Sequence, residues 1–162
     1  MGLFSKPKKT VPAVKPAAVH TGGALVVETL NVAGAHYHEK SIKQLQIPAE
    51  DWKKSPQQLV SEGKTTKKVF RYTYIDKPVR LVPDTQNPHD RNAVKVMIAG
   101  VHVGFVPSDQ AKHFRAVVET TTIKNLTADI WGGEYKVVSS TGETVTSSDY
   151  VRIRVHIEYT SK

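Results

Sequence analysis

The chain has 162 residues, a formal net charge of +8 and no cysteine. This length fits one domain, and the lack of cysteine excludes a disulfide framework and a thiolate metal site and fits an intracellular protein. No apolar run approaches the length of a membrane-spanning helix, so no membrane association is expected. A basic chain favours a polyanionic partner such as nucleic acid, although solubility alone also accounts for a positive charge.

Residues 1–24 are rich in Lys, Pro and Ala and end in a Gly-Gly pair. This composition predicts a flexible basic arm, which either contacts phosphates or serves as a tether. The arm contains four lysines and no acidic residue, so the remaining residues carry the other half of the net charge. The remaining chain, residues 25–160, is predicted to form the folded domain. Within it, residues 46–66 are punctuated by Pro and Gly and are predicted to be an insertion that contains a short helix around Pro56–Val60.

The first half of the domain alternates between extended and helical patterns. Ala24–Leu30 is apolar and β-branched, which predicts a strand, and residues 32–38 are expected to continue extended, with Gly34 at a bulge or close approach. Glu39–Leu45 predicts a short helix whose apolar residues are three apart. Lys67–Ile75 alternates and predicts another strand. Residues 53–80 hold the densest run of basic side chains, which is either a phosphate-binding face or a solvated surface.

A polar turn and a hairpin occupy residues 81–107. The turn is Asn87-Pro88-His89-Asp90, in which Asn and Asp side chains bond the nearby backbone and Pro fixes φ. Residues 94–98 then alternate, with the valines and Ile98 on one face and Lys95 and Met97 on the other. Ala99–Gly100 reverses the chain, and residues 101–105 alternate again. A polar loop on rigid strands is a common site for binding residues.

The last third of the chain predicts one helix and three strands. The helix follows Pro107, with Ser108 as its N-cap and an apolar core-facing stripe up to Val118. Ile123–Trp131 and Glu134–Val138 predict two strands around a Gly132–Gly133 turn. Residues 139–149, rich in Ser and Thr, predict a mobile loop. Tyr150–Tyr159 predicts a strand with Val151, Ile153, Val155 and Ile157 facing inward.

The pattern therefore predicts an all-β protein with two or three short helices, since six to eight strands occur without βαβ alternation. We expect an antiparallel sheet curled into a small barrel. Barrels of this kind often carry single-stranded nucleic acid on an exposed face that has aromatic side chains for base stacking.

Three blocks of the sequence resemble the HIRAN domain, a module found alone in bacteria and phages and at the front of some SWI/SNF-type DNA-dependent ATPases. Residues 32–38 resemble the family's Gly-x-x-Tyr segment. Residues 81–96 resemble its Asn-Pro-aromatic-Asp-x-Asn-Ala-Ile/Val-x-Val motif, and residues 103–107 resemble its Val-Gly-aromatic-aliphatic-Pro strand end. Together they cover roughly residues 25–120, and the middle block is the specific one. The chain is similar to the stand-alone members.

The resemblance implies a modified OB-like β-barrel that binds DNA, with the best-studied eukaryotic member holding a single-stranded 3′ end. It implies that Tyr37 stacks on a base, that Asn87 bonds phosphate or base, and that Asp90 accepts a hydrogen bond from the terminal 3′-hydroxyl. Four further positions match the family pocket but differ in residue type from that member: His36, His38, His89 and Phe105. An imidazole can stack and, when protonated, contact phosphate.

Each of these residues also has a structural interpretation. Asn87 and Asp90 also suit a role in closing their turn, and Tyr37 suits half-buried sheet packing. Trp131 is either a further stacking residue or part of the core. The candidates for phosphate contacts, provided that their faces adjoin the pocket, are Arg71, Lys95, Arg152 and Arg154.

Three functions compete at this point. The first is a non-catalytic DNA-binding module, a monomer that needs no cofactor and recognises single-stranded DNA or DNA 3′ ends in repair, replication or restart. If the protein is bacterial or from a phage, it would act in the cytoplasm at the nucleoid. Any helicase or ATPase would be a separate chain, because this sequence contains no P-loop. The second is a metal-dependent nuclease or hydrolase, for which His36 and His38 on one strand face would be ligands, although Asp90 lacks a partner carboxylate. The third is a protein-interaction domain with an incidental basic surface.

Overall fold

The computed structural model describes residues 23–74 and 76–161. Within these residues it contains nine strands: β1 Leu25–Asn31, β2 Gln46–Pro48, β3 Val69–Phe70, β4 Tyr72–Tyr74, β5 Val79–Pro83, β6 Val94–Ile98, β7 Val101–Phe105, β8 Thr122–Val138 and β9 Thr144–Thr160. Its helices are α1 Glu39–Ile42, α2 Pro56–Ser61 and α3 Ser108–Thr120, with 3₁₀ turns at Ala35–His38, Lys43–Leu45 and Glu50–Lys53. The predicted all-β class with short helices is confirmed. The predicted flexible arm spans residues 1–24, of which residues 1–22 lie outside the described residues.

All strand pairings among the described residues are antiparallel and form three sheets. One has the order β1-β9-β8-β3, another β5-β6-β7, and the third pairs β2 with β4. The segment after β1 joins the two larger sheets, because Val32 donates its N–H to the carbonyl of Ile153 and Ala33 donates to Phe105, both at 2.8 Å. The described sheets thus curl around a shared interior without forming one continuous hydrogen-bonded barrel.

The core lies between these two sheets and is closed by α3. Alternation buries Val94, Val96 and Ile98 of β6, as the sequence predicts, and turns Lys95 and Met97 to the other face. On β9 the buried positions are Ile153, Val155, Ile157 and Tyr159, and Val151 is partly buried. Phe114 and Val117 cover the interior from α3. Each fully buried aliphatic side chain of this kind contributes about 1.5–3 kcal/mol.

The β8–β9 hairpin differs from the predicted one. Gly132–Gly133 does not turn the chain, and β8 runs through both glycines for 17 residues. Trp131 pairs with Arg152 and Gly133 with Asp149, which leaves Gly132 opposite two residues in a bulge. A Cβ on Gly132 would lie 2.3 Å from the carbonyl oxygen of Tyr150, so glycine is required by close approach and by its φ of 109°. The actual turn is at residues 139–143, and residues 144–149 extend β9 rather than form a mobile loop.

Two other predicted strands are also wrong. Residues 67–74, the described part of the predicted strand, do not form one strand, because the chain changes sheets at Arg71, with β3 pairing to β8 and β4 to β2. Residues 32–38 do not continue extended. Gly34 adopts a left-handed conformation, with φ of 73°, and begins the 3₁₀ helix Ala35–His38. The predicted helix at Glu39–Leu45 is confirmed as α1 followed by a 3₁₀ turn.

The helix predictions hold with one correction. The short helix inside residues 46–66 is α2, which Ser55 and Gln58 begin with a capping box. Helix α3 begins at Ser108, so its N-cap is Pro107 and Ser108 is not the cap. None of the helices in the described residues is long and apolar enough to span a membrane.

Candidate nucleic-acid interface

The loop between β5 and β6 is held by its own side chains. Asn87 Oδ1 accepts hydrogen bonds from the backbone N–H of His89 at 2.9 Å and of Asp90 at 3.0 Å. Asp90 Oδ1 accepts from the backbone N–H of Asn92 at 2.8 Å. The predicted Asn-Pro-His-Asp turn is therefore confirmed, and Asn87 and Asp90 do close it. Each does so with one oxygen of its side chain, which fixes the direction of the other polar atom.

A bulge in the β6–β7 hairpin creates an aromatic surface beside this loop. Lys95 pairs with Phe105 and Met97 with His102, and the register shifts between these pairs. Phe105 is three positions after His102, and in a regular strand the two side chains would face opposite sides. The bulge brings their rings to one face, with centroids 4.8 Å apart. Sequence reasoning missed His102. Gly104 inside the strand pattern was the available signal for a bulge.

The 3₁₀ helix adds His38 to this surface. The His38 ring lies 4.2 Å from His102 and 6.3 Å from Phe105. Burial lowers the pKa of His38, and burial followed by the neighbouring His38 lowers the pKa of His102. Both imidazoles therefore stay neutral to a lower pH than a free imidazole. His102 Nε2 donates to the carbonyl of Gly104 at 3.0 Å, which leaves its Nδ1 as an acceptor.

Lys95 and Asp84 provide the charges next to these rings. Their side chains are 3.3 Å apart, and the Asp84 side chain is only 14% exposed. The Asp84 backbone N–H also donates to Ala93 at 2.8 Å across the base of the loop, and its carbonyl accepts from Asn87. Asp84 thus links the loop to the aromatic surface. We call the set His38, Asp84, Asn87, Asp90, Lys95, His102 and Phe105 the loop surface.

Tyr37 and His36 lie on the same 3₁₀ helix but outside these contacts. Tyr37 is 82% exposed, so it is not half-buried sheet packing. Its ring contacts that of His36, with centroids 3.8 Å apart. His36 lines a cleft with Trp131 and Tyr150, whereas His38 packs against Phe105. Because these histidines are helical, they do not share a strand face as expected of a metal pair. Among the described residues no group of three or more metal-ligating side chains occurs.

The remaining candidates are distributed over two other surfaces. Arg71 lies in a cleft with Tyr72 and forms a 2.7 Å ion pair with Glu134, which raises its pKa. Trp131 is half-buried on the outer face of β8, and the Arg154 guanidinium lies 5.5 Å from its ring. The structure thus joins His38, Lys95 and Phe105 to the Asn87–Asp90 loop, and separates them from Arg71. His89 is exposed at the tip of the turn.

The curled antiparallel sheets present a polar turn and a 3₁₀ helix whose Tyr37 side chain is exposed. These features are typical of a small β-sheet domain that binds a ligand on its surface. The HIRAN domain model matches residues 29–156, and the chain belongs to the HIRAN family. The crystal structure of the HIRAN domain of human HLTF is similar at 14% identity over 88% of this chain and 83% of that chain, with a TM-score of 0.44. A search of curated proteins finds no match. HIRAN is generally a DNA-binding domain.

Proposed function

We propose that this protein is a non-catalytic module that binds single-stranded DNA and holds its 3′ end at the loop surface. The observation that carries the proposal is that Asn87 and Asp90 each use only one of their two side-chain polar atoms to close the turn. Each uses Oδ1 to close the turn. No residue in 23–74 or 76–161 hydrogen-bonds Asn87 Nδ2 or Asp90 Oδ2. A rigid loop therefore presents one amide donor and one carboxylate acceptor.

These two groups suit a strand end. A carboxylate oxygen repels phosphate but accepts a strong charge-assisted bond from a hydroxyl. Asp90 Oδ2 accordingly accepts from the terminal 3′-hydroxyl and disfavours a 3′-phosphate by like-charge repulsion. Asn87 Nδ2 donates to the last phosphate or base. The loop surface thus distinguishes a strand end from an internal nucleotide.

The aromatic and charged neighbours supply the rest of the binding. Tyr37 is exposed enough to stack on a base. His38 and Phe105 offer an apolar aromatic floor, and Lys95 neutralises a phosphate despite its pairing with Asp84. His89 and His36 lie at the edges, where an imidazole N–H donates to phosphate. Arg71 contributes more weakly from its own cleft because Glu134 already pairs with it.

The cellular role follows from this binding mode. A monomer that grips free 3′ ends acts in DNA repair, replication or restart, inside the cell and near the nucleoid in a bacterium. It works beside a helicase or ATPase that supplies the energy. Phosphate contacts dominate its affinity, so we expect micromolar-class dissociation constants that depend strongly on salt.

Fluorescence anisotropy with a 5′-labelled oligonucleotide tests the proposal. We expect single-stranded DNA to bind more tightly than blunt duplex. The logarithm of its affinity should fall with the logarithm of salt concentration by about 0.7 per neutralised phosphate. The labelled strand should stay intact when Mg²⁺ or Mn²⁺ is added. No anisotropy change with any DNA at low salt would refute the proposal and favour the alternative of a protein-interaction domain. Cleavage of the strand would instead show that the protein is a nuclease.

A further inference from the structure

We infer that a second surface, the cleft formed by His36, Trp131, Tyr150, Arg152 and Arg154, binds internal nucleotides of the DNA strand. The inference rests on the proposed function and extends it from the 3′ end to the path of the strand. The cleft has a volume of about 670 Å³ and lies on the outer face of β8 and β9, beside the start of the 3₁₀ helix. We call it the strand cleft.

The alternation of β9 places the arginines outward. Ile153 and Val155 are buried. Arg152 precedes Ile153 and Arg154 lies between the two, so both arginines face solvent. Trp131 pairs directly with Arg152 across β8, and its side chain shares that outer face. Tyr150, two residues before Arg152 on β9, lines the same cleft and is 77% exposed. Two aromatic rings and two guanidinium groups therefore converge.

The charge of the strand cleft is not neutralised. Arg71 and Arg115 form ion pairs with Glu134 and Glu119, whereas Arg152 and Arg154 pair with no carboxylate in the described residues. No acidic side chain lines the cleft. Asp129, the cross-strand register partner of Arg154, does not line the cleft, and its carboxylate is hydrogen-bonded to His156 at 2.8 Å instead. The cleft thus retains two cations that suit consecutive phosphates.

Arg154 and Trp131 are also preorganised. Arg154 Nε donates to Asn31 Oδ1 at 3.2 Å, and its guanidinium lies 5.5 Å from the centre of the Trp131 ring. These contacts hold the guanidinium over one region of the cleft. Aromatic rings that border a cationic groove are the combination by which proteins bind single strands without sequence preference. This chemistry favours nucleic acid, in which every phosphate is accompanied by a base, over an acidic peptide, whose carboxylate side chains carry no ring.

The strand cleft and the loop surface meet at the 3₁₀ helix. His36 lines the cleft, the Tyr37 ring contacts that of His36, and His38 packs on Phe105 of the loop surface. Consecutive residues of one short helix therefore touch both surfaces. A strand whose 3′ end lies at Asp90 passes over Tyr37 and enters the strand cleft.

Trp131 provides a direct optical test. The chain has two tryptophans, so a Trp52→Phe variant makes Trp131 the only one. Oligothymidylates with a 3′-hydroxyl are added at two lengths, about 3 and about 12 nucleotides, which lie below and within the usual site size of such domains. Both should raise the anisotropy, and only the longer one should quench Trp131. Trp131→Ala should weaken the longer strand by roughly 5- to 150-fold and leave the shorter one unchanged.

Arg152→Gln checks the same surface without touching the packed ring. We expect it to lower the salt slope for the longer strand by about 0.7, with Lys112→Gln on α3 as the matched charge control. The proposal is overturned if the longer strand binds without quenching, or if Arg152→Gln behaves like Lys112→Gln. In that case binding of the shorter strand still supports the loop surface as the site that holds the 3′ end. If neither length binds, the proposed function itself fails. A ribose strand of equal length shows whether the cleft distinguishes DNA from RNA.

Discussion

Replacing Gly104 by Ala should damage both the fold and the candidate site, because this glycine lets two parts of the chain approach. A Cβ at position 104 would lie 2.5 Å from the carbonyl oxygen of Ala33 and 2.5 Å from Val32 Cγ1. The backbone contact is fixed by two hydrogen bonds between Ala33 and Phe105, at 2.8 and 2.9 Å. This pairing seats the segment that leads into the 3₁₀ helix, and hence His38, against β7.

The expected cost has two parts. The φ of Gly104 is 148°, a conformation that costs a residue with a Cβ about 1–3 kcal/mol. Forcing the Cβ into the backbone of residue 33 adds about 1–3 kcal/mol of overpacking. For a chain of this size each kcal/mol lowers Tm by about 2–4 °C. Gly104→Ala should therefore lower Tm by roughly 4–24 °C.

Gly100→Ala is the matched control in the same hairpin. Its φ of 76° is also left-handed, but a Cβ there meets nothing within 4 Å. We expect only the conformational cost, about 1–2 kcal/mol. Thermal unfolding followed by circular dichroism measures both variants, and anisotropy below Tm should show weaker DNA binding for Gly104→Ala alone. Equal Tm losses in the two variants would show that the close approach contributes nothing and would refute this reasoning.

Three further predictions concern side chains of the two surfaces. Tyr37→Ala should weaken single-strand binding by about 1–3 kcal/mol in an anisotropy titration and leave Tm unchanged, since the ring is exposed; a drop in Tm would contradict this. Burial lowers the pKa of His38 and His102, so the unfolded chain binds protons first as the pH falls below about 6.5. Stability should then decrease, and His102→Gln should reduce that acid sensitivity in thermal unfolding. Asp84→Asn removes a negative charge and releases Lys95, so it should strengthen DNA binding at low salt more than at high salt.

The sequence predicted well those parts of the fold that local chemistry decides. Strict alternation in residues 94–98 identifies a half-buried strand, and Ala99–Gly100 forms the turn that reverses it. The Asn87 side chain closes its own turn through bonds to the next residues, an interaction that needs no distant partner. The apolar stripe of α3 likewise appears where helical spacing indicates.

Features that depend on distant contacts were not predictable in this way. A Gly-Gly pair between two β patterns favours a hairpin turn, but in β8 the close carbonyl of Tyr150 requires glycine within the strand. The exchange of sheets at Arg71 depends on backbone partners in Ala49 and Glu134. His102 joined the site only because a bulge turned it beside Phe105. Each of these outcomes depends on tertiary packing that overrides local pattern.

Recognition of a 3′ end by Asp90 is tested most directly by one comparison. Matched strands ending in a 3′-hydroxyl or a 3′-phosphate are titrated against the wild type and Asp90→Asn. The Asn side chain keeps an Oδ1 to accept from Asn92, so the turn survives while the free carboxylate oxygen is lost. We predict that the wild type prefers the hydroxyl by about 1.5–3 kcal/mol and that Asp90→Asn loses most of this preference at unchanged Tm. Equal binding of both ends by the wild type would contradict the account.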